Sequence, residues 1–300
     1  SRMVSYLDFE KPVAELEAKV EELRAVAARG GAVSIGEELT KLETKAAKAL
    51  AELYRELTPW QKTLVARHPG RPHTLDYVGA LVEDFTPLAG DRAFGDDAAI
   101  MGGFARFRGE SIAVIGQEKG SDTATRLKHN FGSVRPEGYR KAVRIMELAD
   151  RFKVPVVTLV DTAGAYPGVG AEERGQAEAI ARNLFEMAQL RVPILCYIIG
   201  EGASGGALGI GLGDKVFMLE HTWYSVISPE NCSTILWHSW DYKEQAAEAL
   251  KLDAENMLHF GLIDGIVKEP LGGGHNAPEE MANTLKNHIK TELAKIIDQD

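Results

Sequence analysis

Cysteine is nearly absent: Cys196 and Cys232 are the only two in 300 residues. That excludes a disulfide framework and a cysteine zinc site, and it is the usage of a reducing compartment, so a cytoplasmic location is expected. Cys196 stands in an apolar run and reads as a buried thiol. No apolar run approaches the ~20 residues of a membrane span, and no signal-like stretch precedes Met3, which is taken as the natural start. Basic residues are outnumbered, 34 to 44, giving a net charge of -10. A chain so acidic is not built for general nucleic-acid binding. P-loop and HExxH patterns are missing. What remains is an ordinary globular composition, 45% apolar and 26% charged, with a core large enough for one big domain.

The densest feature is Gly200-Glu201-Gly202-Ala203-Ser204-Gly205-Gly206, continuing to Gly213, directly after the apolar run Val192–Ile199. Glycine costs roughly 1 kcal/mol against Ala in a helix interior, so this is read as a strand-to-helix turn with close backbone approach. A helix starting near Ser204 would aim the N–H groups of Gly205, Gly206 and Ala207 at one point, with the positive helix end behind them. Such a point holds an oxyanion or enolate. A glycine turn that only packs a helix on a sheet is the plainer alternative.

Upstream, residues 11–56 carry apolar residues at 3-4 spacing, broken at Gly30-Gly31, with Ser34 and Glu37 expected to form a capping box. They predict an antiparallel helix pair used for packing. Residues 58–95, with Pro59, Pro69, Pro72 and Pro87, read as an irregular connector with short helical turns. His68, His73 and Asp76 match no standard zinc spacing, and no metal site is expected. The boundary is placed at 1–95 and 96–300. Ala98–Phe107 and Ser111–Ile115 read as a strand pair, and Pro136 opens an amphipathic helix. Val154–Val160 and Val192–Ile199 read as strands buried on both faces. The first ends in a second glycine turn, Asp161 to Gly168. Strand, glycine turn and helix thus recur at about forty residues, implying parallel strands whose carboxyl ends gather a ligand. The Lys119–Arg144 stretch is locally basic, and Arg126, Lys128 and Arg135 are candidate phosphate or partner contacts, with a solvated helix face as the alternative.

Gly202-Ala203-Ser204-Gly205-Gly206 also fits the G-x-S-x-G elbow of serine hydrolases. Asp214, Asp241 and Asp264 precede His275, but none stands in a distinctive context, and Ser204 is more simply a helix cap. None of the eight histidines lies in either glycine turn, against His-based acid–base chemistry there.

The runs Asp161–Gln176, Gly200–Gly213 and Tyr224–Glu230 closely resemble the carboxyltransferase alpha subunits of bacterial acetyl-coenzyme A carboxylase. Tyr6–Glu10, Asn130–Gly132, Pro136–Lys141 and Glu269–Gly273 match too, so the resemblance covers nearly the whole chain. Ala163 departs from it, since the family usually has Pro there.

The resemblance implies an α/β, crotonase-like spiral of strand-strand-helix units with an N-terminal helical extension. It implies transfer of a carboxyl group from carboxybiotin, on the biotin carboxyl carrier protein, to acetyl-coenzyme A, giving malonyl-coenzyme A for fatty-acid synthesis. Biotin carboxylase is a further implied partner. The working unit is two alpha and two beta subunits, with zinc only in the beta subunit. Gly205 and Gly206, with Ala207, are then expected to hold the ureido oxygen of biotin, whose own nitrogen serves as base. Gly164, Ala165 and Tyr166, with Gly202 and Ser204, are expected to line the biotin pocket. No membrane or nucleic-acid partner is expected. Two other readings stand beside it: a crotonase-type hydratase or isomerase acting through Glu172, Glu173 or Glu201, and a noncatalytic scaffold subunit.

Overall fold

The computed structural model describes residues 5–30, 33–89, 97–164, 185–203 and 213–297, with 178 and 180–182 between them. Helices α1 (Lys11–Ala28) and α2 (Val33–Arg55) form the expected pair. They run antiparallel: Arg24, late in α1, hydrogen-bonds Glu43, whereas Val13, early in α1, shares a cluster with Leu50 late in α2. Because α2 already starts at Val33, Ser34 lies inside its first turn, and the expected Ser34–Glu37 cap is corrected.

Residues 58–89, the described part of the expected connector, are more ordered than expected. Thr58 caps α3 (Pro59–Ala66) in a full capping box with Gln61. Helix α4 (Thr74–Leu81) follows, and then a strand the sequence reading missed, β1 (Glu83–Pro87). Its Pro and two acids are unusual for a strand, and it sits at the sheet edge, where Pro is tolerated.

Strands β2 (Ile100–Phe107) and β3 (Glu110–Gln117) form a hairpin around Arg108 and Gly109, whose φ of 53° and 84° suit a two-residue primed turn. From β3 onward the sheet is parallel. The order is β1-β2-β3-β4-β5-β6-β8, with β4 (Val156–Thr162), β5 (Ile194–Ala203), β6 (Lys215–Leu219) and β8 (Gly265–Val267). Strand β7 (Trp223–Ser225) pairs with β5 alone.

Both faces of the sheet are covered, which is why β4 and β5 read as unbroken apolar runs. On one face α6 (Pro136–Phe152), after the short α5 (Thr123–Lys128), packs Tyr139, Ala142, Ile145, Met146 and Ala149 against Ile115, Val156, Val160 and Ile198. On the other, α4 and α10 (Pro278–Ile297) pack Tyr77, Leu81, Met281, Leu285 and Ile289 against Val157, Leu159, Leu195, Tyr197 and Phe217. Each such large side chain adds roughly 1.5–3 kcal/mol on burial. Cys196 sits in this core, where burial pushes its thiol up to about 12 against a weaker pull from Thr158, so it is inert.

Edge strand β1 is held by close backbone approach. A Cβ on Gly103 would lie 2.1 Å from the Thr86 carbonyl oxygen and 2.8 Å from Pro87 Cα. Gly103→Ala is therefore expected to lower unfolding free energy by about 1–3 kcal/mol in urea titration. An unchanged midpoint would mean that β1 contributes nothing to stability.

Candidate active site at the carboxyl ends of the parallel strands

Strand β5 changes partner part-way along. Leu195–Ile198 pair with β6, whereas Glu201–Ala203 pair with β7. Between them the register with β4 jumps from Val160↔Ile198 to Thr162↔Gly202, so β5 carries two extra residues. A bulge leaves backbone groups without ladder partners, and burial makes each one costly. Side chains take their place here. The Ile199 carbonyl accepts from Arg71 Nη2 at 3.0 Å, and the Glu201 N–H donates to Asp161 Oδ1 at 3.0 Å. The Asp161 N–H donates to Gln117 Oε1 at 2.9 Å, extending the set to the end of β3.

The bulge also sets the first residues of the two glycine stretches side by side. Thr162 pairs with Gly202, and Gly164 lies two residues past Thr162, whose hydroxyl donates to the Gly164 carbonyl at 2.7 Å. Gly164 has φ 153° and open space where a Cβ would stand. Gly202 is different: a Cβ there would lie 2.9 Å from the Trp223 carbonyl oxygen, so contact with β7 requires glycine. Gly200 is tighter still, with Asp161 Oδ1 2.4 Å from a Cβ position. Ala165, Tyr166, Ser204, Gly205, Gly206 and Ala207 lie outside the described residues.

An ionic cluster surrounds this point. Lys119 Nζ bridges Asp161 Oδ1 at 2.8 Å and Glu201 Oε2 at 2.5 Å. Arg67 Nε reaches the other Glu201 oxygen at 2.5 Å, and Arg67 also grips both carboxylate oxygens of Glu230. Glu230 lies in the first turn of α7 (Pro229–Trp237), which Ser228 caps. Burial opposes charge on Glu201, but Lys119 and Arg67 outweigh it and bring the carboxyl down to about 2. Burial likewise opposes charge on Lys119, yet Asp161 and Glu201 raise its pKa.

A second cluster supports the first from below. Arg71 pairs with Glu269 at 2.5 Å with both side chains buried. Glu269 also accepts from the His221 and Gly274 N–H groups at 2.5 and 2.8 Å. Its carboxyl too falls to about 2, burial being outweighed by Arg71 and His221.

A cavity of about 460 Å³ opens over these strand ends, lined by Arg67, His73, Lys119, Arg126, Phe131, Ala163 and Glu201 among others. That size suits a small-molecule group. Of the three basic candidates, Arg126 lines it; Lys128 and Arg135 do not. A cleft of similar size between α1 and α2, about 480 Å³, is lined by Leu23, Val26 and Leu42 with side chains of Lys and Glu around them. It lies on the helical hairpin and has no backbone switch or ionic cluster like that at the strand ends.

The hydrolase triad does not assemble among the described residues. Asp214 and Asp264 accept from the N–H groups of Ile194 and Val216, at the amino ends of β5 and β6, opposite the end where residue 204 follows. His275 stacks on His68 with ring centroids 3.8 Å apart, and His73 and Asp76 meet only at the start of α4. Among the described residues no group of His, Cys, Asp and Glu is arranged to hold a metal ion.

The sequence reading missed Arg67, Arg71 and the pairing roles of Asp161, Glu230 and Glu269. The acids all lie in the runs quoted above, which was the available signal. The two arginines lie in the connector, and their partners are far away in sequence.

Residues 6–300 match the family model described as acetyl co-enzyme A carboxylase carboxyltransferase-like. The chain belongs to this family. A relative from Xanthobacter autotrophicus, an acetyl-coenzyme A carboxylase carboxyl transferase subunit alpha, is 61% identical over 99% of this chain and 94% of its own length. The subunit of the same name from Rhodopseudomonas palustris strain HaA2 is 60% identical over 99% of this chain and 92% of its own. Among solved structures, a transcarboxylase 12S with methylmalonyl-coenzyme A bound has TM-score 0.55 at 17% identity, matching 73% of this chain and 42% of that one. The beta subunit of P. aeruginosa geranyl-CoA carboxylase also has TM-score 0.55 at 17% identity, matching 78% of this chain and 44% of its own. The chain thus spans under half the length of those solved chains, and the likeness concerns the fold, which is the expected crotonase-like α/β fold of carboxyltransferases.

Two outcomes follow for stability. Glu269→Gln leaves Arg71 buried without its counter-charge and is expected to cost about 3–5 kcal/mol in chemical denaturation. Glu201 and Glu269 both have folded-state pKa values near 2, below the ordinary 4.5. Their stabilisation is complete above about pH 4.5 and lost as pH falls toward 2. Melting temperature is expected to drop steeply over that window, and less steeply in Glu201→Gln; identical slopes would contradict the assignment.

Proposed function

We propose that this chain is the alpha half of a biotin-dependent carboxyltransferase that forms malonyl-coenzyme A from acetyl-coenzyme A. The observation that carries this reading is near full-length identity of about 60% to alpha subunits of that name, with Thr162 and Gly202 of the two glycine stretches paired at the β5 switch.

Carboxybiotin, presented on the biotin carboxyl carrier protein after biotin carboxylase has acted, supplies the carboxyl group when bound. The described residues fit such a visitor: a cavity of about 460 Å³ stands over the strand ends, and Gly164 is open at its Cβ position. Gly164, Ala165 and Tyr166, with Gly202 and Ser204, form the proposed rim. The N–H groups of Gly205, Gly206 and Ala207 are the proposed donors to the oxygen on which negative charge develops. The beta subunit, carrying its own zinc and a matching glycine pair, holds the acetyl thioester. Two alpha and two beta subunits complete the enzyme in the cytoplasm. Arg126 remains a candidate contact for phosphates of coenzyme A.

The hydratase alternative draws no support from Glu201. A carboxyl held at about 2 by Lys119 and Arg67 is a poor base near neutral pH. Glu172 and Glu173 lie outside the described residues.

The test is biotin-dependent decarboxylation of malonyl-coenzyme A by this chain mixed with the beta subunit of the same organism. Activity is expected only in the mixture, and Gly206→Val is expected to abolish it while the complex still assembles. Activity of this chain alone, or full activity in the Gly206 variant, would contradict the reading.

A further inference from the structure

Asp161 does three things at once at the β5 switch. Its carboxylate accepts the Glu201 N–H at 3.0 Å, pairs with Lys119 Nζ at 2.8 Å, and fills the space above Gly200, where a Cβ would be 2.4 Å away. Its side chain is buried, 3% exposed, so it is remote from bulk water. Its own N–H is fixed by Gln117, and the Gln117 carbonyl accepts from Thr74 Oγ1 at 2.6 Å. Asp161 is therefore held on two sides before it acts on β5.

In a regular parallel ladder the Glu201 N–H would bond a carbonyl of a neighbouring strand. The two extra residues of β5 remove that option, and Asp161 Oδ1 is the acceptor instead. Where this oxygen lies decides where Glu201, Gly202 and Ala203 turn away from β6 and onto β7.

We propose that Asp161 is a positioning residue for carboxyl transfer, setting the exit of β5 by serving as the surrogate ladder acceptor for the Glu201 amide. The inference rests on the functional reading above, in which the residues following Ala203 supply the donors for the reacting oxygen. It adds that the direction in which Glu201–Ala203 turn away from β6 is set from β4 through one hydrogen bond. A displacement of about 1 Å in such a site can cost on the order of 100-fold in rate.

The experiment uses the assembled alpha–beta complex and biotin-dependent malonyl-coenzyme A decarboxylation. Asp161→Ala is expected to lower kcat about 100-fold with KM for malonyl-coenzyme A within about threefold of the unmodified complex. Asp161→Asn keeps an acceptor oxygen and is expected to restore kcat to within about tenfold. Gly200→Ala leaves every charge in place but pushes the carboxylate aside, and is expected to match Asp161→Ala. Gel filtration and melting curves check assembly; if Asp161→Ala does not assemble, Gly200→Ala and Asp161→Asn decide by the same criteria. A kcat within threefold of the unmodified complex in Asp161→Ala or Gly200→Ala overturns the inference. So does an equal loss in Asp161→Asn, because charge rather than the accepted bond would then be what matters. An inactive unmodified complex instead overturns the functional reading, and this inference with it.

Discussion

Everything at the candidate site depends on one irregularity in β5, where the chain gives up backbone partners and takes side chains in exchange. Arg71 serves the Ile199 carbonyl and Asp161 serves the Glu201 amide. The bulge allows a strand buried in the middle of the sheet to pair with β6 at its start and β7 at its end. Without it the uninterrupted register would place Thr162 opposite Gly200 and not Gly202. Buried polar substitutes of this kind must be paired to be tolerated, and here most are, with Arg71 Nε a buried exception.

That requirement explains the charge around the bulge. Asp161 needs a cation, which Lys119 supplies; Lys119 also faces Glu201, whose second oxygen meets Arg67, which in turn grips Glu230. Arg71 and Glu269 repeat the pattern one layer deeper. Each link joins a different part of the chain: the α3–α4 connector, the ends of β3, β4 and β5, the start of α7, and the loop after β8. Ion pairs this buried contribute little net stability against apolar replacements. Their value here is geometric, since they specify one arrangement of six segments around a cavity. The cluster also leaves its carboxylates committed, which is consistent with chemistry done by backbone donors and a visiting cofactor rather than by a side-chain base.

Much of this was legible in the residues. Val156–Val160 and Ile194–Ile199 are largely apolar without alternation because helices cover both faces, and with the recurring strand, glycine turn and helix that pattern implies parallel strands. The caps of Ser228 and Asp253 are local, each a small polar side chain directly before its helix. The strand β1 was not readable: Glu83-Asp84-Phe85-Thr86-Pro87 has poor strand composition, and pairing with β2 at the sheet edge overrides it. Arg67 and Arg71 were not readable either, because nothing local marks an arginine in a proline-rich connector as the partner of Glu201 or Glu269. Lys141 was placed in a basic patch, yet its ammonium points inward and donates to the Ile100 carbonyl at 2.9 Å. A long side chain crossing from helix to sheet leaves no trace in periodicity.

The most direct measurement is amide hydrogen exchange at Glu201. An exposed strand end exchanges through small local openings, whereas an amide locked to a buried carboxylate exchanges only when the surrounding unit opens. The account predicts strong protection at Glu201, comparable to the core amides of β4, and its loss in Asp161→Ala while the β4 amides stay protected. Rapid exchange at Glu201 in the unmodified protein would contradict it, since the bulge would then not be held by Asp161.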